Sequence, residues 1–353
     1  MMLEGCLSGG LISRGDILFD PYRKEAETAL QAVIDAAKLA RAIQTEIQSS
    51  AMEKHDHTPV TVADFAAQAV ISFQLEEAFP QNVLVAEEGT TALHSAEGED
   101  TLRRVVDAVR SLLPHADQET VSAWIDRGSG EPGSRFWVLD PVDGTKGFLR
   151  GEQYAVALGL IEDGQVVLGA LGCPNLNHGM QPSLGGQGSA VLAVRGQGAW
   201  AASLEGEILH RLYVSGQRDS MGARLLRSAE SAHTDEQKMA HLIDALDIQA
   251  SPICMDSQAK FAVLASGHAE LIIRLNPPKQ PDRKENIWDQ APGSLVVQEA
   301  GGRVTDLAGR DLDFTAGRQL HRNLGVIVSN GYLHEAALHA IHDLGYDRLP
   351  ENA

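Results

Sequence analysis

Trp137-Val-Leu-Asp140-Pro-Val-Asp143-Gly-Thr145-Lys-Gly-Phe148 is the stretch on which the fold turns. The apolar run Phe136-Trp-Val-Leu139 reads as a buried strand and passes at once into carboxylates. Asp140 and Asp143 stand three apart across Pro141, whose ring fixes φ and stiffens the turn. Gly144 permits a backbone angle that other residues resist. Such a turn can aim two carboxylates and the Val142 carbonyl at one volume. Taken alone, the string also suits an ordinary turn, because Asp-Pro and Asp-Gly are good turn formers.

Other acidic residues occupy similar places. Glu87 follows the short apolar strand Val83-Leu-Val-Ala86, and Asp56 lies in a polar loop before a helix expected over residues 63–78. Asp289 opens a helix expected over 289–300, after the polar run 279–286. Carboxylates that follow buried strands gather where the strands end, and hard cations take oxygen ligands of this kind.

Around these points the pattern changes once. Helical spacing over 20–48 and 63–78 precedes β-rich runs at 154–161 and 165–171, joined by the hairpin signal Glu162-Asp-Gly164. A second hairpin covers 190–201. Residues 91–135 read as a surface excursion holding one helix, and the first ~15 residues are expected to be disordered. Beyond residue 212, strands and helices alternate, with a capping box at Thr234-Asp-Glu-Gln237. The expected domains are 16–212, an α+β unit with an antiparallel sheet, and 213–350, an α/β unit.

The chain has 353 residues and a formal net charge of −19, which argues against a nucleic-acid binder with its basic face. An acidic surface repels an anionic substrate unless local cations reverse the field. The three cysteines are far apart and read as free thiols in a reducing compartment. The N-terminus has neither a signal peptide's apolar segment nor a membrane span, so a cytoplasmic protein is expected. His321, His334, His339 and His342 show no metal pattern, and Trp124 and Trp200 read as packing residues.

The string 137–148 resembles the signature of the lithium-sensitive phosphatases of the inositol monophosphatase family. So do Glu87-Glu88, Pro59-Val-Thr-Val-Ala-Asp64, Ile287-Trp-Asp-Gln-Ala-Pro-Gly293 and Glu299-Ala-Gly-Gly-Arg-Val-Thr-Asp306, in the family's order. Gly172-Cys-Pro-Asn175, His233-Thr-Asp-Glu-Gln237 and Asp256-Ser-Gln-Ala-Lys260 are similar to the branch that acts on 3′(2′),5′-bisphosphate nucleotides. Simple inositol monophosphatases are shorter and lack the last two pieces. The resemblance implies an αβαβα layered sandwich with its site between the two domains.

It also implies roles. Glu87, Asp140 and the Val142 carbonyl would hold one magnesium ion, and Asp140, Asp143 and Asp289 a second, with a looser third near Asp56. Asp56 and Thr145 would orient and deprotonate the attacking water. His233, Ser257, Lys260, Arg274, Thr145 and Asp289 would contact the nucleotide. Without the family match, a His beside a helix start, a Lys in a helix and an Arg ending a strand are ordinary surface residues. The implied reaction converts adenosine 3′,5′-bisphosphate to AMP and phosphate, with the 3′-phosphorylated sulfate donor as a second substrate and lithium as inhibitor. The alternatives are an inositol phosphate 1-phosphatase and a silent nucleotide or metal sensor. A monomer acting on a small molecule is expected. Two departures stand out: Gly89 where relatives often carry Ser, and Pro292 where they carry a small residue. If the helix around Pro292 began early, that proline would bend it and misplace Asp289.

Overall fold

The structure, a computed structural model, describes residues 11–13, 19–49, 58–94, 96–176, 187–206, 208–229 and 235–348. The apolar runs pair into two sheets. The first has eight strands: β1 (Leu11–Ser13), β2 (Val83–Ala86), β3 (Arg135–Asp143), β4 (Ala155–Glu162), β5 (Gln165–Cys173), β6 (Ser189–Val194), β7 (Gly198–Ser203) and β8 (Ile208–Arg211). Their order is β1-β8-β7-β6-β5-β4-β3-β2, antiparallel throughout except that β2 runs parallel to β3. The β4–β5 turn uses Asp163 and Gly164, both at positive φ (48° and 77°), as the hairpin signal requires.

β3 shows why the sheet is covered on both sides. Successive side chains of a strand point to opposite faces. Phe136 and Val138 join one apolar cluster and Trp137 and Leu139 another. The second face lies under α1 (Arg23–Ser49) and α2 (Thr58–Ala78), through Val33, Ala37, Ile71 and Leu75. The first lies under α7 (Ala259–Ala265) and α8 (Ala291–Glu299), through Phe261 and Leu295.

Beyond α7 and α8 comes the second sheet, of β9 (Leu225–Arg227), β10 (Ile253–Cys254), β11 (Leu271–Arg274), β12 (Arg303–Thr305) and β13 (Val326–Ser329), in the order β10-β9-β11-β13-β12. Ile272 and Val328 face α7 and α8, whereas Leu271, Ile273 and Ile327 pack on α6 (Glu236–Ala245) and α9 (His334–Asp343). The result is the αβαβα sandwich. Among the described residues no helix is long and apolar enough to cross a membrane.

Several local expectations change. Leu11–Ser13 is an edge strand on β8, while residues 1–10 lie outside the described set. α2 starts at Thr58, earlier than its apolar pattern indicates, because Pro59 sits in a first turn where no N–H is needed. The segment 91–135 holds two helices, α3 (Ala96–Arg110) and α4 (Gln118–Asp126), the latter opened by a capping box between Asp117 and Thr120. It is no decoration: Val105, Val109, Val121 and Ile125 are buried against α2. α6 is capped by Asp235, whose carboxylate accepts from Lys238 N at 3.1 Å; Thr234 lies outside the described residues. Between Thr145 and Arg150 runs a short helix, α5.

Two glycines on β5 set the layer spacing. A Cβ on Gly169 would come within 2.4 Å of the Pro292 carbonyl in α8, and one on Gly172 within 2.6 Å of the Val33 carbonyl in α1. Both obstacles are backbone, so neither can yield by a rotamer change. Gly172→Ala is expected to lower unfolding free energy by about 1–3 kcal/mol through overpacking, measured by urea denaturation. A loss below about 0.5 kcal/mol would show that α1 is free to move away.

Candidate active site

Parallel pairing of β2 with β3 builds the first part of the site. Ala86 is level with Leu139, so the next residues, Glu87 and Asp140, emerge side by side. Glu87 N donates to Leu139 O at 3.3 Å, which holds the two residues side by side. β3 then continues where a turn is expected. Its pairing with β4 jumps from Asp140 opposite Ala157 to Asp143 opposite Ala155, so Pro141 and Val142 sit in an irregularity inside the strand. This is what turns Asp140 and Asp143 to one side. Gly144 follows at φ 92°, and a Cβ there would meet Ser257 Cβ at 2.9 Å.

The second sheet reaches the same point through residues 256–260. Ser257 has φ 69°, a left-handed backbone uncommon for a side chain other than Gly, Asn or Asp. That bend presents Gln258 N to Asp143 Oδ2 at 2.6 Å. The buried Gln258 amide donates to Trp288 O at 2.9 Å and accepts from Gly293 N at 3.0 Å. Asp289 therefore lies on a segment tied to Asp143 through one residue. α8 begins only at Ala291, so Pro292 falls in its first turn and leaves Asp289 ahead of the helix. Arg318 lies over the Trp288 ring, 4.9 Å from its centroid, and donates to Gly130 O at 2.9 Å and to Ala86 O.

Glu87, Asp140, Val142, Asp143, Thr145, Ser257, Lys260, Arg274 and Asp289 all line one cavity of about 320 Å³. Asp56 and His233 lie outside the described residues. Lys260 is no solvated lysine: it is 6% exposed, and Nζ donates to Met255 O at 3.2 Å. Burial lowers its pKa to about 8, with nearby Arg274 adding and Asp143 opposing. Arg274 pairs with Glu285 at 2.9 Å.

The carboxylates are held under repulsion. Burial first, then neighbouring negative charge, drives Asp140 and Asp289 well above the usual carboxylate range. Glu87 is raised by burial and by Asp143, and Asp143 by burial against the pull of Lys260 and the Gln258 N–H. Asp140 Oδ1 is buried without a hydrogen-bond partner. Among the described residues no three of these side chains form a finished cation cage; they stand as separate oxygens around one space. An all-oxygen donor set with an orphaned buried carboxylate oxygen suits a hard divalent cation.

Two neighbours had no assigned role in the sequence. Asp64, on α2, is 7% exposed and raised well above the usual range by burial, then by Glu88 and Glu87; it also acts on Asp140. Glu88 is pushed up to about 7 by burial and by Glu87. The fully buried Gln68 fixes this loop, donating to Glu88 O and Ile125 O at 2.8 Å each and accepting from Glu88 N at 3.2 Å. The only prior sign of Asp64 was its place in the Pro59–Asp64 motif. Cys173 is buried and its thiol is pushed up by that burial, so it is no reactive thiolate.

The family model described as "Inositol monophosphatase family" matches residues 20–346. The 3′(2′),5′-bisphosphate nucleotidase of Oryza sativa is 39% identical over 343 residues, covering 92% of this chain and 95% of that one. The 3′(2′),5′-bisphosphate nucleotidase of Schizosaccharomyces pombe is 38% identical over 339 residues, covering 90% and 95%. Among solved structures, CysQ from Bacteroides thetaiotaomicron, a bacterial member of the inositol monophosphatase family, superposes with a TM-score of 0.60 at 21% identity, covering 88% of this chain and 98% of that one. Mycobacterium tuberculosis SuhB gives 0.61 at 19% identity, covering 93% and 100%. With the motifs, the layered fold and these matches in agreement, the chain belongs to the inositol monophosphatase family, a family of metal-dependent phosphatases.

Proposed function

We propose that this protein is a 3′(2′),5′-bisphosphate nucleotidase, which hydrolyses the ribose phosphate of adenosine 3′,5′-bisphosphate to give AMP and phosphate. The observation that carries this reading is one cavity lined by Glu87, Asp140, Asp143 and Asp289 together with Lys260 and Arg274. The names of the relatives above support the substrate class. The 3′-phosphorylated sulfate donor has the same reacting group and is a second substrate.

In this reading Glu87, Asp140 and the Val142 carbonyl hold one magnesium ion, and Asp140, Asp143 and Asp289 a second. When bound, magnesium offsets phosphoryl charge and acidifies water. The chain's own groups do the rest. Lys260 and Arg274 draw in the anionic nucleotide, with Ser257 beside them. Gln258 keeps Asp143 aimed, through its N–H. Thr145, just past Gly144, and Asp64, beside Glu87 and Asp140, orient the attacking water, and Asp64 takes its proton. Asp64 lies within electrostatic reach of Glu87, Glu88 and Asp140, which supports this role, whereas Asp56 lies outside the described residues.

Three outcomes check the reading. With magnesium, phosphate release is expected from adenosine 3′,5′-bisphosphate well ahead of inositol phosphates. Asp143→Asn should cut it by at least about a hundredfold, the upper end for groups that support a metal ligand. Equal turnover of both substrates would defeat the nucleotide assignment.

Asp64→Asn should lower kcat by about a hundredfold or more, the scale of general-base loss, whereas Asp56→Asn should cost less. The reverse order would return the role to Asp56.

The third outcome concerns stability. A carboxyl whose pKa is raised by folding holds its proton more tightly in the folded chain. For Glu88, raised from 4.5 to about 7, the stabilisation is complete below pH 4.5 and lost as pH rises through 7. In chelator the melting temperature should therefore fall between about pH 5 and about pH 8. Magnesium should restore it, more at the higher pH, because protons compete with the cation for the raised carboxyls of Glu87, Asp140, Asp143 and Asp289. An equal magnesium shift at both pH values would count against the cation site.

A further inference from the structure

Arg274 closes β11 and lines the cavity, but its ion-pair partner does not. Glu285 sits behind the wall, 7% exposed, with Oε2 at 2.9 Å from Arg274 Nη2. The same oxygen accepts from Gln290 Nε2 at 3.0 Å, and Gln290 is fully buried. Gln290 follows Asp289 directly. Glu285 therefore joins the end of β11 to the segment carrying Asp289.

The alternatives open to Arg274 give this bond its meaning. Asp289 and Asp143 also lie within electrostatic reach of the guanidinium. Arg274 is half-buried, and a guanidinium left there without a partner is costly, so it turns to the nearest carboxylate. If Glu285 let go, Arg274 would compete for the oxygens assigned above to a divalent cation. An ion pair inside the wall would then replace substrate contact and cation binding together.

We propose that Glu285 is a positioning residue that holds Arg274 toward the substrate and away from Asp143 and Asp289, leaving those carboxylates free for magnesium. This rests on the reading that Asp143 and Asp289 bind the cation and Arg274 the nucleotide. Glu285 touches neither; it acts through the guanidinium.

The test titrates magnesium against melting temperature without substrate, then measures KM and kcat for adenosine 3′,5′-bisphosphate. Glu285→Gln removes the charge, yet its amide oxygen can still accept from Gln290. In this variant the magnesium concentration for half the full melting shift should rise about tenfold, as for other groups that support a metal ligand. KM should rise as well, and kcat should recover at saturating magnesium. Glu285→Asp draws the charge back from Arg274 and should move the same quantities by a smaller factor, guarding against loss of fold in Glu285→Gln. The pair Arg274→Gln plus Glu285→Gln should return the half-shift concentration to that of Arg274→Gln alone, since a residue acting through another has no effect once the other is gone.

Half-shift concentrations equal to wild type in both Glu285 variants would overturn the proposal. A double variant that keeps the full rise would overturn it too. A wild-type chain with no magnesium-dependent shift would remove the cation reading and the proposal together, and so differs from failure of the proposal alone.

Discussion

The hydrogen bond from Gln258 N to Asp143 Oδ2 is the joint on which the site depends. The same residue's amide grips Trp288 and Gly293, on either side of Asp289. Four like-charged groups in a low-dielectric cleft push one another apart. They stay together because each is fixed from behind. Gln68 fixes the Glu87–Glu88 loop, Arg318 binds the end of β2, and Glu285 restrains Arg274. Three of the carboxylates come from the ends of β2 and β3 and the fourth from the segment ahead of α8, but the bonds that aim them are largely to backbone.

Much of this was legible in the chain, and the exceptions have physical causes. The strands around Trp137 announce themselves because both faces are buried and nearly every position is apolar. The metal-ligand candidates show because carboxylates follow apolar runs within motifs that stand in the family's order. Asp64 did not show. Residues 62–72 of α2 are all buried, against the first sheet and against α3 and α4, so this stretch has no polar face against which an inward carboxylate stands out. The continuation of β3 through Pro141 was hidden for a related reason. Proline and glycine spell a turn locally, and only the pairing with β4 shows a strand with an irregularity. Gln258 acts through partners 30 or more residues away, and Glu285 acts through Arg274 from outside the cavity lining, neither of which sequence spacing reveals.

The site also carries local costs that the rest of the fold absorbs. Ser257 holds a left-handed backbone, Asp140 Oδ1 has no hydrogen-bond partner, and Glu88 is forced toward its neutral form. Each is unfavourable by itself and persists only because the surroundings over-determine it. The opposite economy rules β5, where Gly169 and Gly172 let helices on both faces approach to contact. Tight packing there supplies the rigidity against which the strained acidic cleft can be held.

Lys260 and Arg274 stand among the carboxylates of the cleft in a chain of net charge −19, and this arrangement bears on how a ligand arrives. An incoming nucleotide meets repulsion at long range and attraction only after it enters the cleft. Mobile ions screen the first more than the second, since the Debye length at physiological ionic strength is about 8 Å. Encounter with this molecule is therefore quickened by moderate salt, opposite to enzymes that steer anions with a basic exterior.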